Sequence, residues 1–191
     1  MLYRLCQSLL RFIFAVIFPL KASGLHHIPA TGPVLLCSNH ISNIDPTTVG
    51  VRVKRKVNYM AKSELFSFPP MAAFLRALGA FPVKRGGVSK EAIKSAIGLL
   101  KEGEVLGIFP EGSRSQGDTA GKKGAAMLAL RGNATVIPVA IIGKYRLFRS
   151  IRIVYGAPID LKALQTEGPS DVLDAATAKI MAEIRSLTAA G

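Results

Sequence analysis

The sequence predicts a single α/β domain, with a mixed and mostly parallel sheet flanked by helices. Its 191 residues suffice for one sizeable hydrophobic core and are too few for two comfortable domains. Short apolar runs bounded by turn residues alternate with segments of helical periodicity, the pattern expected when helices connect the strands of one sheet. Hydrophobic residues make up 49% of the chain, a composition that argues against disorder.

Five apolar runs have the length and composition of buried strands. The first follows Gly32-Pro33, and the third leads directly into a polar turn. Pro138 lies inside the most hydrophobic run, and because proline cannot donate a ladder hydrogen bond, we expect an edge strand or a bulge there. The predicted strands cover residues 34–37, 57–61, 105–109, 135–142 and 151–155.

Segments with helical features separate these strands. In the clearest case Ile93, Ala96, Ile97 and Leu100 share one face of a helix. Glycines follow three of the segments, at Gly79, Gly103 and Gly132, and are expected to end the helices. The predicted helices cover residues 69–78, 88–100, 125–130 and 170–188.

The first 20 residues are mostly apolar but contain Arg4 and Arg11. A charge near the middle of a membrane span costs at least ~2.5 kcal/mol, which disfavours a spanning helix. A cleaved signal peptide is disfavoured as well, because no small-residue cleavage site follows Phe18-Pro19. We therefore assign residues 1–23 to a helix in the membrane interface, with its arginines reaching the headgroups, and residues 24–191 to the α/β domain. A core helix and a spanning helix are the alternatives.

The charge distribution predicts an anionic partner. The net charge is +13, and residues 1–90 alone carry +10. Such a balance suits nucleic acid, an acidic membrane or a phosphorylated substrate. Nucleic acid is disfavoured, because the chain has no recognisable DNA- or RNA-binding motif. Cys6 and Cys37 do not make a disulfide framework, so a reducing compartment is expected.

A histidine and an aspartate follow the first predicted strand. His40 and Asp45 are five positions apart and cannot share one helix face, so we predict a turn that brings Asp45 back toward His40. Asp45-Pro46 is also typical of a helix N-cap followed by the first helical residue. A carboxylate that holds one imidazole nitrogen leaves the other to take a proton from a substrate hydroxyl. Taken alone, the pair is more simply interpreted as structural.

Two further turns combine cations with glycines. Lys84 and Arg85 precede a pair of glycines, and Arg114 lies in the turn after the third strand, near Glu111. Arginine offers a fork of donors for phosphate, and glycine lets backbone N–H groups approach a ligand closely. In an open α/β sheet ligands bind beyond the carboxyl ends of the strands, so one crevice is expected for these residues.

A covalent mechanism has weaker support from the sequence. Its candidate nucleophiles are Cys37, Ser38, Ser42 and Ser113. The Gly-x-Ser-x-Gly elbow is absent, and Cys37 lies inside an apolar run, where an inert buried thiol is expected. No cluster of residues has metal-ligand spacing, so no metal is expected.

Taken together, these blocks resemble the glycerolipid acyltransferases that make phosphatidic acid, and within that family the bacterial 1-acylglycerol-3-phosphate acyltransferases. Residues 39–46 are similar to the family's His-x4-Asp block, and residues 79–85 resemble its second block, which ends in a phosphate-binding arginine. Phe-Pro-Glu-Gly-Ser-Arg-Ser at residues 109–115 matches the third block, and residues 136–139 resemble the strand that lines the acyl site. The resemblance covers residues 24–159 and implies a fold like that of glycerol-3-phosphate acyltransferase.

The resemblance implies a direct acyl transfer. His40 is expected to be the general base and Asp45 to orient it. The acyl donor is expected to be acyl-CoA or acyl-ACP, with no tightly bound cofactor. The phosphate and glycerol of lysophosphatidic acid are expected to contact Lys84, Arg85, Glu111, Gly112, Ser113 and Arg114.

The expected location is the cytoplasmic face of the cell membrane, on anionic phospholipid. Other acceptors remain open, namely other lysophospholipids, lyso-ornithine lipids and glycerol 3-phosphate. A non-catalytic basic protein bound to the membrane surface is the more distant alternative.

Overall fold

The computed structural model describes residues 2–83, 90–111, 119–161 and 169–190. Its strands are β1 (Leu20–Ser23), β2 (Val34–Ser38), β3 (Val57–Lys62), β4 (Ala80–Val83), β5 (Val105–Ile108), β6 (Thr135–Ile142) and β7 (Ile151–Tyr155). Its helices are α1 (Leu2–Ile17), α2 (Asp45–Val51), α3 (Pro69–Ala77), α4 (Lys90–Lys101), α5 (Thr119–Arg131) and α6 (Pro169–Ala189), with short 3₁₀ turns at Leu25–His27 and Ser63–Phe66.

The strands form one seven-stranded sheet in the order β1-β7-β6-β2-β5-β3-β4. All neighbouring strands in this sheet are parallel except β6 and β7, which confirms the predicted mixed and mostly parallel sheet. Because β6, β2, β5, β3 and β4 run in the same direction, their carboxyl ends lie along one edge of the sheet. The polar turns after β2 and β5 are therefore brought to that edge, which we call the carboxyl edge.

Two hydrophobic cores cover the two faces of the sheet, and β2 contributes to both. Successive strand residues point to opposite faces. Leu36 packs in the core that includes Phe14 of α1 and Val49 of α2. Leu35 packs in the other core, which includes Ile180 of α6 together with residues of α4 and α5. The apolar residues of β2 are completely buried, as the unbroken apolar run predicts.

Two strands of the sheet have no counterpart among the predicted elements. β1 and β4 are each four residues long and lie at opposite edges of the sheet. β1 begins at Leu20, three residues after α1 ends at Ile17, so residues 20–23 belong to the sheet rather than to the N-terminal helix. Short edge strands have little periodicity, which explains why the sequence pattern does not reveal them.

The edge strand predicted from Pro138 is wrong, whereas the predicted alternative, a bulge, is supported by a shift in register beside this proline. Val139 pairs with Tyr155 but Val136 pairs with Ile159, which places three residues opposite two. β6 lies inside the sheet, between β7 and β2. Gly156 N–H donates to the Pro138 carbonyl at 2.8 Å, just beyond Tyr155, the last residue of β7. In an antiparallel pair of this kind the N–H and the C=O of a residue point to the same partner. The N–H that proline lacks would therefore point toward Gly156 and not toward β2. Proline is tolerated here because β7 ends beside it.

Helix α1 directs Gln7 and Arg11 toward the protein, together with the buried Phe14, and most of its other large apolar side chains outward. Gln7 is buried and its amide donates to the carbonyls of Val53 at 2.8 Å and Gly50 at 3.3 Å. Arg11 Nε donates to the Val51 carbonyl at 2.8 Å, and the expectation that the arginines of this helix reach the lipid headgroups stays a prediction. Among the helices of the described residues, none combines the length with the apolar composition that a membrane span requires.

We expect Gly107→Ala in β5 to lower the free energy of unfolding by about 1–3 kcal/mol, because the added methyl group would overlap the Tyr59 ring. The matched control is Gly98→Ala in α4, where an added methyl group meets nothing within 4 Å. That change is expected to stabilise the protein by about 0.5–1 kcal/mol through helix propensity. Urea unfolding measures both; equal effects of the two substitutions would contradict the close packing of Tyr59 on β5.

Candidate active site

The turn after β2 is tied to the neighbouring strand by Asn39. Its side-chain nitrogen donates to the Ile141 carbonyl at 2.9 Å, and its side-chain oxygen accepts the Ile141 N–H at 2.7 Å. The amide thereby continues the hydrogen bonding between β2 and β6 for one residue beyond the strand. His40, the next residue, leaves the sheet from a fixed point on the carboxyl edge.

The predicted contact between His40 and Asp45 is confirmed. His40 Nδ1 lies 2.7 Å from Asp45 Oδ2, and Oδ2 also accepts the backbone N–H groups of Ile41 at 2.6 Å and Ser42 at 2.7 Å. A carboxylate only accepts hydrogen bonds, so Nδ1 carries the proton of the neutral ring. The second nitrogen, Nε2, is then the acceptor that a substrate hydroxyl can use.

The predicted N-cap role of Asp45 is wrong. Asp45 is the first residue of α2, Ile44 occupies the N-cap position, and no side chain caps the helix. The Asp45 carboxylate turns back to the residues before it and organises the turn that carries His40. Pro46 does lie at the start of the helix, as expected from its fixed backbone angle.

Burial and hydrogen bonding have opposite effects on the pKa of Asp45, whose side chain is completely buried. Burial by itself raises the pKa of this carboxyl. Hydrogen bonds from His40, Ser42, Tyr145 and Ile41 outweigh burial and hold the pKa below its ordinary value. Asp45 is therefore ionised at neutral pH and can stabilise a positive charge that develops on His40.

Tyr145, in the segment between β6 and β7, is a further member of this site that the sequence did not indicate. Its hydroxyl donates to Asp45 Oδ1 at 2.7 Å and lies 3.0 Å from Thr48 Oγ1. The tyrosine thus holds the carboxylate oxygen that the turn leaves unused. No local pattern could have revealed a residue 100 positions from its partner.

Phe109, which follows β5, packs against the His40 ring. The two ring centroids are 4.3 Å apart and the ring planes differ by 25°. Tyr59 stacks behind Phe109 at 6.4 Å, in space that the missing side chain of Gly107 leaves open. The imidazole is therefore held by a hydrogen bond at Nδ1 and by an aromatic ring on one face.

A cleft of about 370 Å³ opens beside His40. Glu111 lines it, which places this predicted residue at the carboxyl edge near the histidine. Its lining also includes the C-terminal end of α6, with the exposed cation Arg185, for which the sequence offers no signal. The cleft has a mainly apolar lining with a few polar groups, and its volume is in the range of small-molecule sites.

The remaining predicted contacts fall outside the described residues. These are Lys84, Arg85, Gly112, Ser113 and Arg114. Val83 is the last residue of β4 and Glu111 follows β5, and β3 lies between these two strands in the parallel part of the sheet. The phosphate-binding role of these residues remains a prediction.

The alternative nucleophile Cys37 is inaccessible in this fold. Its side chain is completely buried in β2, and burial raises the pKa of the thiol far above its ordinary value. Ser38 is buried as well, and its hydroxyl donates to the Asn39 carbonyl at 3.1 Å. In the described part of the chain, no group of three or more His, Cys, Asp or Glu residues is placed to hold a metal ion.

Comparison with known proteins supports the resemblance. The family model described as "Acyltransferase" matches residues 19–142. The 1-acyl-sn-glycerol-3-phosphate acyltransferase of Bacillus subtilis is 34% identical over 164 residues, 83% of this chain and 82% of that protein. The protein of the same name from Streptococcus pneumoniae is 33% identical over 144 residues, 70% of this chain and 54% of that protein.

A solved structure shares the fold. The 1-acyl-sn-glycerophosphate acyltransferase of Thermotoga maritima superimposes with a TM-score of 0.75 over 97% of this chain and 79% of that one, at 23% sequence identity. At that identity the likeness concerns the fold alone. The family model spans well over half of the chain and includes His40, Asp45 and Glu111, and the Bacillus subtilis relative matches most of it. The chain is therefore an enzyme of the acyltransferase family.

Proposed function

We propose that this enzyme transfers an acyl chain from an acyl thioester to the 2-hydroxyl of 1-acylglycerol 3-phosphate, which yields phosphatidic acid. The contact that carries the proposal is the 2.7 Å hydrogen bond between His40 Nδ1 and the buried carboxylate of Asp45. It leaves Nε2 as the ring nitrogen that a substrate can use, on a half-buried ring that lines a cleft. The names of the bacterial relatives support the choice of acceptor.

The chemistry follows from the two nitrogens of His40. Nε2 takes the proton of the substrate hydroxyl as its oxygen attacks the thioester carbonyl carbon, and Asp45 stabilises the resulting imidazolium. The tetrahedral intermediate collapses, the carbon–sulfur bond breaks, and the imidazolium returns the proton to the thiolate. His40 ends in its starting state, and no covalent enzyme intermediate forms.

Positive side chains bind the phosphate in this proposal. Arg85 and Arg114 contact the phosphate oxygens, with Lys84 as a weaker ligand, and Glu111 accepts a hydrogen bond from the glycerol. Gly112 and Ser113 supply backbone N–H groups close to the ligand. The described cation Arg185 lines the His40 cleft and adds positive charge from α6.

The acyl donor is acyl-CoA or acyl-ACP in this proposal, and no tightly bound cofactor is needed. The enzyme acts at the cytoplasmic face of the cell membrane, with α1 lying in the interface. The outward face of α1 supports this location, since Leu5, Leu9 and Phe12 are 67%, 58% and 68% exposed while Gln7 faces the protein. A helix oriented this way fits an apolar environment on its outer side.

We expect His40→Ala to lower phosphatidic acid formation by about 10²–10⁴-fold, because general base catalysis is lost. Purified protein is assayed in anionic detergent–lipid micelles with lysophosphatidate and both kinds of acyl thioester. His26→Ala is the matched control, since this histidine lies in a 3₁₀ turn outside the His40 cleft and should retain activity. Full activity of His40→Ala would refute the mechanism, and inactivity of folded wild-type protein would refute the acceptor.

We expect Tyr145→Phe to lower kcat by roughly 3–10-fold and the free energy of unfolding by about 1–2 kcal/mol, because Asp45 loses a donor. That hydrogen bond lowers the pKa of Asp45. The hydrogen bond therefore stabilises the folded protein fully above the ordinary carboxyl pKa of roughly 4, and this contribution declines as the pH falls below that value. Urea unfolding of both proteins near neutral pH and near roughly pH 3 measures this decline.

Tyr155→Phe is the control for this experiment. The Tyr155 hydroxyl donates to the Val49 carbonyl at 2.6 Å, a partner that does not titrate. Its stability difference from wild type should be the same at both pH values. A pH-independent difference for Tyr145→Phe would show that the hydroxyl does not stabilise the ionised carboxylate.

We expect Arg185→Gln to raise the KM for lysophosphatidate roughly two- to fivefold with little change in kcat, since an exposed cation contributes about 0.5–1 kcal/mol to binding. Arg131→Gln removes the same charge at the C-terminal end of α5, far from the carboxyl edge. Steady-state kinetics of the two variants test the assignment. An unchanged KM for Arg185→Gln would exclude contact between this side chain and the acceptor.

A further inference from the structure

The exposed large apolar side chains of the described residues are unevenly distributed. They comprise Leu2, Leu5, Leu9, Phe12, Ile13 and Val16 of α1, Ile41, then Leu65, Phe68, Met71 and Phe74 around α3, and Leu147 and Phe148. The described parts of α4, α5 and α6 expose none. Large apolar groups on one side of a protein mark a surface that meets another apolar phase or partner.

Leu147 and Phe148 form the tip of the loop between β6 and β7. Their side chains are 66% and 75% exposed, and Phe148 has a φ of 60°, which is unusual for a residue other than glycine. Phe148 N–H donates to the Ile17 carbonyl at 2.8 Å, which fixes the loop to the C-terminal end of α1. The exposed tip is therefore tied by its backbone to the C-terminal end of that helix.

Cations surround the tip. Lys144, Arg146 and Arg149 are all exposed, and the sequence has no Asp or Glu from residue 119 to residue 159. Apolar side chains at the tip suit the acyl-chain region of a lipid leaflet, and the flanking arginines suit the phosphates of its headgroup region.

The loop also lies beside the candidate active site. Because β6 and β2 are parallel neighbours, the segment after β6 and the turn with His40 share the carboxyl edge. Within this segment Tyr145 donates to Asp45, and its ring contacts Phe18 edge-on at 5.9 Å. An apolar tip inserted here would bring His40 to the surface from which a lipid acceptor arrives.

We propose that Leu147 and Phe148 insert into anionic phospholipid bilayers as a membrane contact separate from α1, and hold the His40 edge against the lipid. The inference deepens the proposed function by assigning the surface through which its lipid substrate enters. The test measures membrane insertion and not acyl transfer. Failure of the loop contact can therefore be told apart from failure of the proposed acyltransferase activity.

The chain contains no tryptophan, so Phe148→Trp provides a single fluorescent reporter. We expect vesicles of phosphatidylglycerol and phosphatidylcholine to shift its emission to the blue, and brominated acyl chains to quench it. Lys101→Trp, at the exposed end of α4, is the matched control and should show neither effect. Leu147→Trp repeats the measurement if the first variant fails to fold.

Vesicle flotation gives a second readout. Leu147→Ser/Phe148→Ser and Arg146→Gln/Arg149→Gln should each weaken binding to the anionic vesicles by roughly tenfold or more. Lys101→Gln/Arg131→Gln, which removes the same charge from the ends of α4 and α5, should change it less than about twofold.

Each contrary result has a defined meaning. If the Phe148→Trp variant floats with the vesicles but its emission is neither shifted nor quenched, the loop contact is overturned and α1 is left as the attachment. A blue shift that depends on protein concentration without vesicles would overturn lipid insertion and show that a second copy covers the tip. Failure to bind vesicles at all would overturn the membrane location too, while acyl transfer in micelles would still be judged separately.

Discussion

The buried carboxylate of Asp45 is the interaction on which the candidate site depends. A charge removed from water is costly unless hydrogen bonds replace its hydration. Here the donors come from the turn itself, from the His40 ring and from Tyr145. Satisfying the carboxylate therefore requires the turn after β2, the start of α2 and the segment after β6 to adopt one arrangement together.

The surrounding fold makes this arrangement rigid. β2 is buried on both faces in the middle of the sheet, and Asn39 links the turn to β6 through paired hydrogen bonds. Phe109 supports the imidazole from β5. Contacts from both strands beside β2, namely β6 and β5, therefore hold His40 in place. Because the ring is already positioned, little reorganisation is needed for proton transfer.

The sequence reveals those parts of the fold and site that depend on neighbouring residues. The buried strand β2, its polar turn and the return of Asp45 to His40 follow from apolar runs and from the spacing of the two side chains. The edge strand predicted from Pro138 is wrong because the tolerance of this proline depends on where β7 ends, which is a property of the sheet and not of the strand. Tyr145 and Arg185 lack a local signal, since only the folded chain brings them to the site.

Helix α1 has a consequence for making a soluble form of this enzyme. Its Gln7 and Arg11 donate to carbonyls at the end of α2, and the Tyr3 hydroxyl accepts the Val57 N–H. Deleting the helix would strip those backbone groups of their partners and uncover the core around Phe14. Solubility is better sought by replacing outward residues such as Leu5 and Leu9 with polar ones, which leaves the inward face and the α2 contacts intact.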